Sequence, residues 1–153
     1  VYKTISVFAV LLVGCAQATY NTMRETKIQE PKVVALDAPR EPYTIEVEKR
    51  LKAAGFKVLR LPTRKVVKEQ TSDTRTEIYK EAEARYVVYL EADVRERCFA
   101  GGYNFRSLTA ELVDVKTNET VFSMNDSGYS ENCPPLSGKI YSKAVQGVQA
   151  AWY

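Results

Sequence analysis

From Tyr86 to Cys98 the chain alternates, with Tyr86, Val88, Leu90, Ala92 and Val94 on one side and Val87, Tyr89, Glu91, Asp93, Arg95 and Arg97 on the other. A period of two belongs to a strand with one face in a core and the other mostly in water, so this stretch commits the chain to a sheet. Gly101-Gly102 supplies a turn after it. A partner strand follows from about Asn104 to Val115, with Leu108, Ala110 and Leu112 on its apolar side and Thr109 and Glu111 opposite. Thr117-Asn118-Glu119 makes the next turn, and Thr120 to Asp126 carries Phe122 and Met124 inward. These segments predict a three-stranded antiparallel meander, whose apolar face needs a cover. After the loop Tyr129 to Gly138, a helix sets Ile140, Ala144, Val148, Ala151 and Trp152 along one flank, which supplies that cover. Gly147 costs this helix up to about 1 kcal/mol, to be offset by close packing.

The first half reads differently. Lys32-Val33-Val34-Ala35-Leu36 is a short buried strand between Pro31 and Asp37. A helix follows with Pro42 in its first turn, Val47, Leu51 and Ala54 at helical spacing, and Gly55 as its stop. Phe56 to Leu61 returns as a second strand, and strand, helix and strand in about thirty residues predict a right-handed crossover with parallel strands. Thr63 to Ser72 fits either a short strand or an irregular connection. Thr74-Arg75-Thr76-Glu77 has capping-box spacing and opens a helix with Ile78 and Ala82 on a narrow apolar stripe, ending by Arg85. The expected fold is one α/β (α+β) domain: a mixed sheet of about five strands with a C-terminal antiparallel meander and covering helices.

The amino terminus carries an address. An apolar run of nine residues, Ile5 to Val13, follows Lys3 and is too short to span a bilayer, which is the pattern of an export signal. Leu12-Val13-Gly14-Cys15 resembles the lipobox of bacterial lipoproteins at all four positions. The resemblance implies that Cys15 receives a diacylglyceryl thioether, that residues 1–14 are removed, and that the new amino terminus is acylated, with palmitate as the expected chain. It also implies the outer membrane, because Ala16 rather than Asp follows Cys15. The layout is then a signal peptide at 1–14, a lipidated terminus and flexible tether at 15–31, and a globular periplasmic domain at 32–153. Two alternatives remain. Ala16-Gln17-Ala18 fits an ordinary cleavage site that would release a soluble secreted chain starting near Thr19, and Ile5 to Cys15 fits a buried strand or helix.

Three cysteines are an odd number for an exported protein. With Cys15 holding lipid, Cys98 and Cys133 are left as an even pair in an oxidising compartment, either bridged or buried as free thiols. The charge balance of 22 basic against 19 acidic residues offers no case for nucleic acid. The densest basic cluster, Arg60, Arg64, Lys65 and Lys68, reads as a solvated loop surface.

Ser107 to Ser123, with Thr117-Asn118-Glu119 at its centre, is similar to the strand-turn-strand of two lipoprotein types: the curli-secretion lipoprotein and the outer-membrane activator of penicillin-binding proteins. Those families often carry Thr-Gly-Glu at the turn, and Asn also takes the left-handed conformation. The resemblance implies a scaffolding role and transfers no functional residue.

Most catalytic chemistry is excluded by what the chain lacks. It has no histidine, hence no serine-histidine or cysteine-histidine catalysis and no histidine metal site. It has no Walker loop, no dinucleotide fingerprint and no Cys-x-x-Cys pair. We therefore expect no cofactor, no metal and no catalytic residue. One carboxylate pair, Glu91 and Asp93, shares a strand face as glycan hydrolysis would need, but Arg95 and Arg97 beside it predict a solvated ladder of opposite charges. The stronger candidate surrounds the proposed bridge: Phe99, Tyr103, Tyr129, Glu131 and Asn132, held on two tied loops, form a contact surface for envelope proteins or peptidoglycan. The alternative there is a bridge that only stabilises long loops. The membrane is the remaining partner, reached through the lipid anchor.

Overall fold

In the computed structural model the described residues are 19–22, 25–60 and 84–153. Among these residues six strands and two helices follow in the order β1 (Thr19–Thr22), β2 (Val33–Asp37), α1 (Pro42–Ala53), β3 (Lys57–Arg60), β4 (Tyr86–Arg97), β5 (Tyr103–Asp114), β6 (Glu119–Tyr129) and α2 (Ile140–Ala150). They build one mixed sheet in the spatial order β1-β6-β5-β4-β2-β3. The strand-helix-strand unit is there, with β2 and β3 parallel from Val33 opposite Lys57 to Leu36 opposite Arg60. β4 joins the other side of β2, also parallel, and the meander β4-β5-β6 is antiparallel. Its second turn places Asn118 at φ 57°, the left-handed conformation expected of that residue. The connection at 63–72 and the body of the helix expected over 74–85 lie outside the described residues.

Both helices cover one face. Tyr43, Val47 and Leu51 of α1 and Ile140, Tyr141, Ala144 and Val148 of α2 are buried there. Below them the inward residues of the strands, among them Leu36, Val88, Leu90, Leu108, Leu112 and Met124, form one continuous core with Trp152 closing its far end. That tryptophan meets Phe56 and Tyr86 edge to face, with ring centres 5.0 and 5.2 Å away. Val87, expected on the wet side of its strand, is buried. It joins Ala35 and Ala84 in a second, smaller cluster. Parallel strands are covered on both faces where antiparallel ones leave one face wet, and β4 belongs to both kinds of pairing.

The tether expected over 15–31 is corrected in large part. Thr19–Thr22 is a strand on the outer edge of β6, from Thr19 opposite Asn125 to Thr22 opposite Phe122. Ile28 is buried, its N–H donates to the Ala151 carbonyl at 2.8 Å, and the Trp152 indole donates to the Glu30 carbonyl at 3.0 Å. An exposed strand edge is a row of unmet backbone donors and acceptors, and the first strand covers that of β6 from Phe122 to Asn125.

Gly147 fits α2 against the sheet. A Cβ at this position would lie 1.9 Å from the Phe122 ring, far inside contact distance. Gly147→Ala is therefore expected to destabilise the protein: overpacking costs about 1–3 kcal/mol, which exceeds the gain in helix propensity of up to about 1 kcal/mol. Urea unfolding of the two proteins measures the difference, and an equally or more stable variant would remove the proposed close approach.

Candidate functional site

The carboxyl ends of β2, β3 and β4, the first residues of β5, the end of β6 and the amino termini of both helices lie at one end of the sheet. There Cys98 and Cys133 are joined as a disulfide, with their Cα atoms 5.4 Å apart. Around it the two loops bond to each other through Tyr103 and Ser130. The Tyr103 N–H donates to the Ser130 hydroxyl at 2.8 Å, and the Ser130 N–H donates to the Tyr103 carbonyl at 2.8 Å. Ser130 in turn donates to the Asn132 side-chain oxygen at 2.7 Å. Gly102 lets the loops meet, because a Cβ on it would lie 2.3 Å from the Asn132 carbonyl oxygen. Both loops are thus fixed by covalent and polar links, which leaves little to order on contact with a partner.

The five candidate residues separate into two groups. Phe99 is fully exposed at the hairpin tip, Asn132 is exposed, and Tyr129 is half-buried at the end of β6. Tyr103 and Glu131 are corrected to internal roles. Tyr103 is only 3 % exposed. It stacks on Phe105 with centres 5.6 Å apart and meets Tyr43 edge to face at 5.7 Å. Glu131 caps α2, accepting from the backbone N–H groups of Tyr141 at 3.2 Å and Ser142 at 2.7 Å. Unmet donors and the positive end of the helix dipole draw a carboxylate to that position. Arg50 completes the arrangement, 3.6 Å from Glu131 and donating to the Ser142 hydroxyl at 3.1 Å. Leu136, which the sequence did not mark, is 59 % exposed in the same loop system. Tyr43 and Tyr141 supply no base: burial pushes both phenols above the ordinary tyrosine range.

Glu91 and Asp93 lie on the helix-free face and are both exposed. The expected ladder with Arg95 and Arg97 is corrected. Asp93 pairs across the strands with Arg106 at 3.2 Å, Glu91 accepts from the Tyr89 hydroxyl at 2.9 Å, and Arg97 reaches Glu41 at 3.8 Å. Register shifts on both sides of Val94 break the alternation that the ladder needed. The same face carries a polar row across three strands, with Glu91 opposite Thr109 and Thr109 opposite Asn125, whose amide donates to the Thr109 hydroxyl at 2.8 Å.

Two shallow hollows lie elsewhere. One of about 240 Å³ has Glu30, Pro31, Val33, Leu59 and Arg85 in its wall, and one of about 260 Å³ has Arg40, Ile45 and Arg60. Arg60, the described member of the basic cluster, donates to Glu48 at 2.7 Å. Neither wall contains Glu91 or Asp93. Among the described residues no three of His, Cys, Asp or Glu converge as metal ligands, and no helix is long and apolar enough to cross a membrane. Cys15 lies outside the described residues.

No protein-family model matches the chain, and no curated protein matches it. Solved structures do. Two crystal forms of the PelC dodecamer from Paraburkholderia phytofirmans, one of them a single-residue variant, each share 17 % identity at a TM-score of 0.53. They cover 90 % and 89 % of this chain and 99 % and 98 % of their own. TolB from Acinetobacter baumannii is similar at 14 % identity and a TM-score of 0.45, covering 88 % of this chain and 31 % of its own. At these identities the PelC likeness is one of fold.

Proposed function

We propose that this protein is a lipid-anchored component of the bacterial cell envelope, at the outer membrane and facing the periplasm, whose domain binds or organises other envelope components without catalysing a reaction. The observation that carries the proposal is the Cys98–Cys133 disulfide. It accounts for two of three cysteines in a bond that persists in oxidising compartments, and leaves Cys15 as the single thiol at the end of a lipobox. The non-catalytic half is supported by Glu91 and Asp93, whose exposed strand face has Tyr89 and Arg106 as their partners. We assign envelope proteins or peptidoglycan to that helix-free polar face. Self-association belongs to the same proposal, since the PelC structures of like fold are dodecamers.

Acyl chains on one sulfur and one amine make release from the bilayer prohibitive. The wild-type protein is therefore expected almost wholly in the membrane fraction, with a diacylglyceryl thioether and an acylated amine on Cys15 at its mature terminus by mass spectrometry. Cys15→Ser is expected to lose nearly all membrane association. The competing cleavage after Ala18 would start the mature chain at Thr19, the first residue of β1. A wild-type terminus at Thr19, or an unmodified Cys15 in the supernatant, would end the anchoring proposal.

A further inference from the structure

β1 runs antiparallel to β6, with Thr19 opposite Asn125 and Thr22 opposite Phe122. Followed from Thr22 back to Thr19, β1 therefore points toward the Tyr129 end of β6, the end that holds the disulfide. Cys15 precedes Thr19 by four positions, a reach of at most about 13 Å. The twelve residues of β4 span roughly 40 Å. Asn125, opposite Thr19, lies four positions from Tyr129 and seven from Asn118, so a lipid on Cys15 can reach the disulfide end of the sheet but not the Asn118 turn.

The disulfide end has the surface for that position. Residues 98–102 and 133–138 contain no charged side chain, and they present Phe99 fully exposed and Leu136 59 % exposed. Arg95, Arg97 and Lys139, all exposed, flank them together with the exposed Glu96 and the half-buried Glu131, and Arg97 is loosely paired to Glu41 at 3.8 Å. An uncharged tip with exposed apolar side chains and cations among the charges at its border is the pattern of an element that rests in the headgroup region of a bilayer. We propose that the disulfide-tied loops are a second, non-covalent membrane contact. Phe99 and Leu136 enter the lipid interface and set the domain upright, with its helix-free sheet face turned sideways to the periplasm. This rests on the acylation of Cys15 proposed above.

The test uses the full acylated protein in vesicles of phosphatidylethanolamine and phosphatidylglycerol containing lipid brominated on its acyl chains. Phe99→Trp puts a reporter on the tip, Lys116→Trp puts one at the opposite end, and the parent protein subtracts the constant emission of Trp152. Emission from position 99 is expected to shift to the blue and to lose most of its intensity to bromine, while position 116 is unaffected. If Cys15 is acylated by mass and position 99 is unquenched, or position 116 is quenched instead, the anchor stands and the orientation is overturned, leaving the tip free to engage a protein. If the mass shows Cys15 unmodified, the anchor falls and the orientation falls with it.

Discussion

Replacing Cys98 and Cys133 together by alanine is expected to lower the free energy of unfolding by about 4 kcal/mol. The bond closes a separation of 35 positions, and a chain cross-linked over that length loses much of the freedom of its unfolded state. Alanine at both sites removes the link without placing a new polar group at the buried Cys133. The two bonds between Tyr103 and Ser130, one backbone to backbone and one to the Ser130 hydroxyl, stay, so the strand ends remain registered while the loop at 131–138 loosens. Two measurements define the effect. Urea midpoints give the loss in stability, and hydrogen exchange is expected to quicken first in that loop. A reductant should bring the wild-type protein to the level of the variant and leave the variant unchanged. A double variant as stable as the wild type would show that the loops are held without the bond.

The second large effect is at the opposite end. Arg85 precedes β4 and donates from Nε and Nη2 to the two carboxylate oxygens of Asp114, at 3.0 and 2.7 Å, closing the last pair of β5. It also bonds Glu30, and Tyr86 donates to the same Glu30 carboxylate at 3.3 Å, so the segment before β2 is fastened to the sheet at this point. The two partners are not equivalent. The Asp114 side chain is fully buried, whereas about a third of the Arg85 side chain is open to water. Asp114→Ala is expected to cost about 1–3 kcal/mol, because the guanidinium left behind can be hydrated and keeps Glu30. Arg85→Ala is expected to cost more, since it takes the guanidinium from a carboxylate held in the interior. The double variant should be less damaged than the sum of the two. Equal losses for the two single variants, by urea unfolding at neutral pH, would contradict this account.

The meander could be read from sequence because its alternation is long and each turn carries its own signal: Gly101-Gly102 at one, and an asparagine suited to a positive φ at the other. The parallel unit was legible for a similar reason, since Pro42 and Gly55 bracket an apolar stripe. β1 was missed because its pairing is made by backbone atoms, which any polar stretch possesses, and because only Ile28 in that segment signals burial. Val87 was placed on the wet face because period alone does not tell that β4 changes from parallel to antiparallel neighbours. Among the candidate site residues, Phe99 and Tyr103 look alike in sequence, two aromatic residues beside a glycine turn. Direction in space separates them: Tyr103 turns inward to Tyr43 and Phe105, while Phe99 stands out beyond the last strand pair. The cap made by Glu131 had no local signal either, because the acid lies ten and eleven residues before the two amides it serves.

The edge position of β1 also imposes an order of events. Thr19 must wait for Asn125, more than a hundred residues later in synthesis, before it can pair. Contacts of that sequence separation form late. If the chain is exported and acylated as proposed, processing at Cys15 would come before this pairing, and β1 would close onto the finished sheet only afterwards, as the final act of maturation.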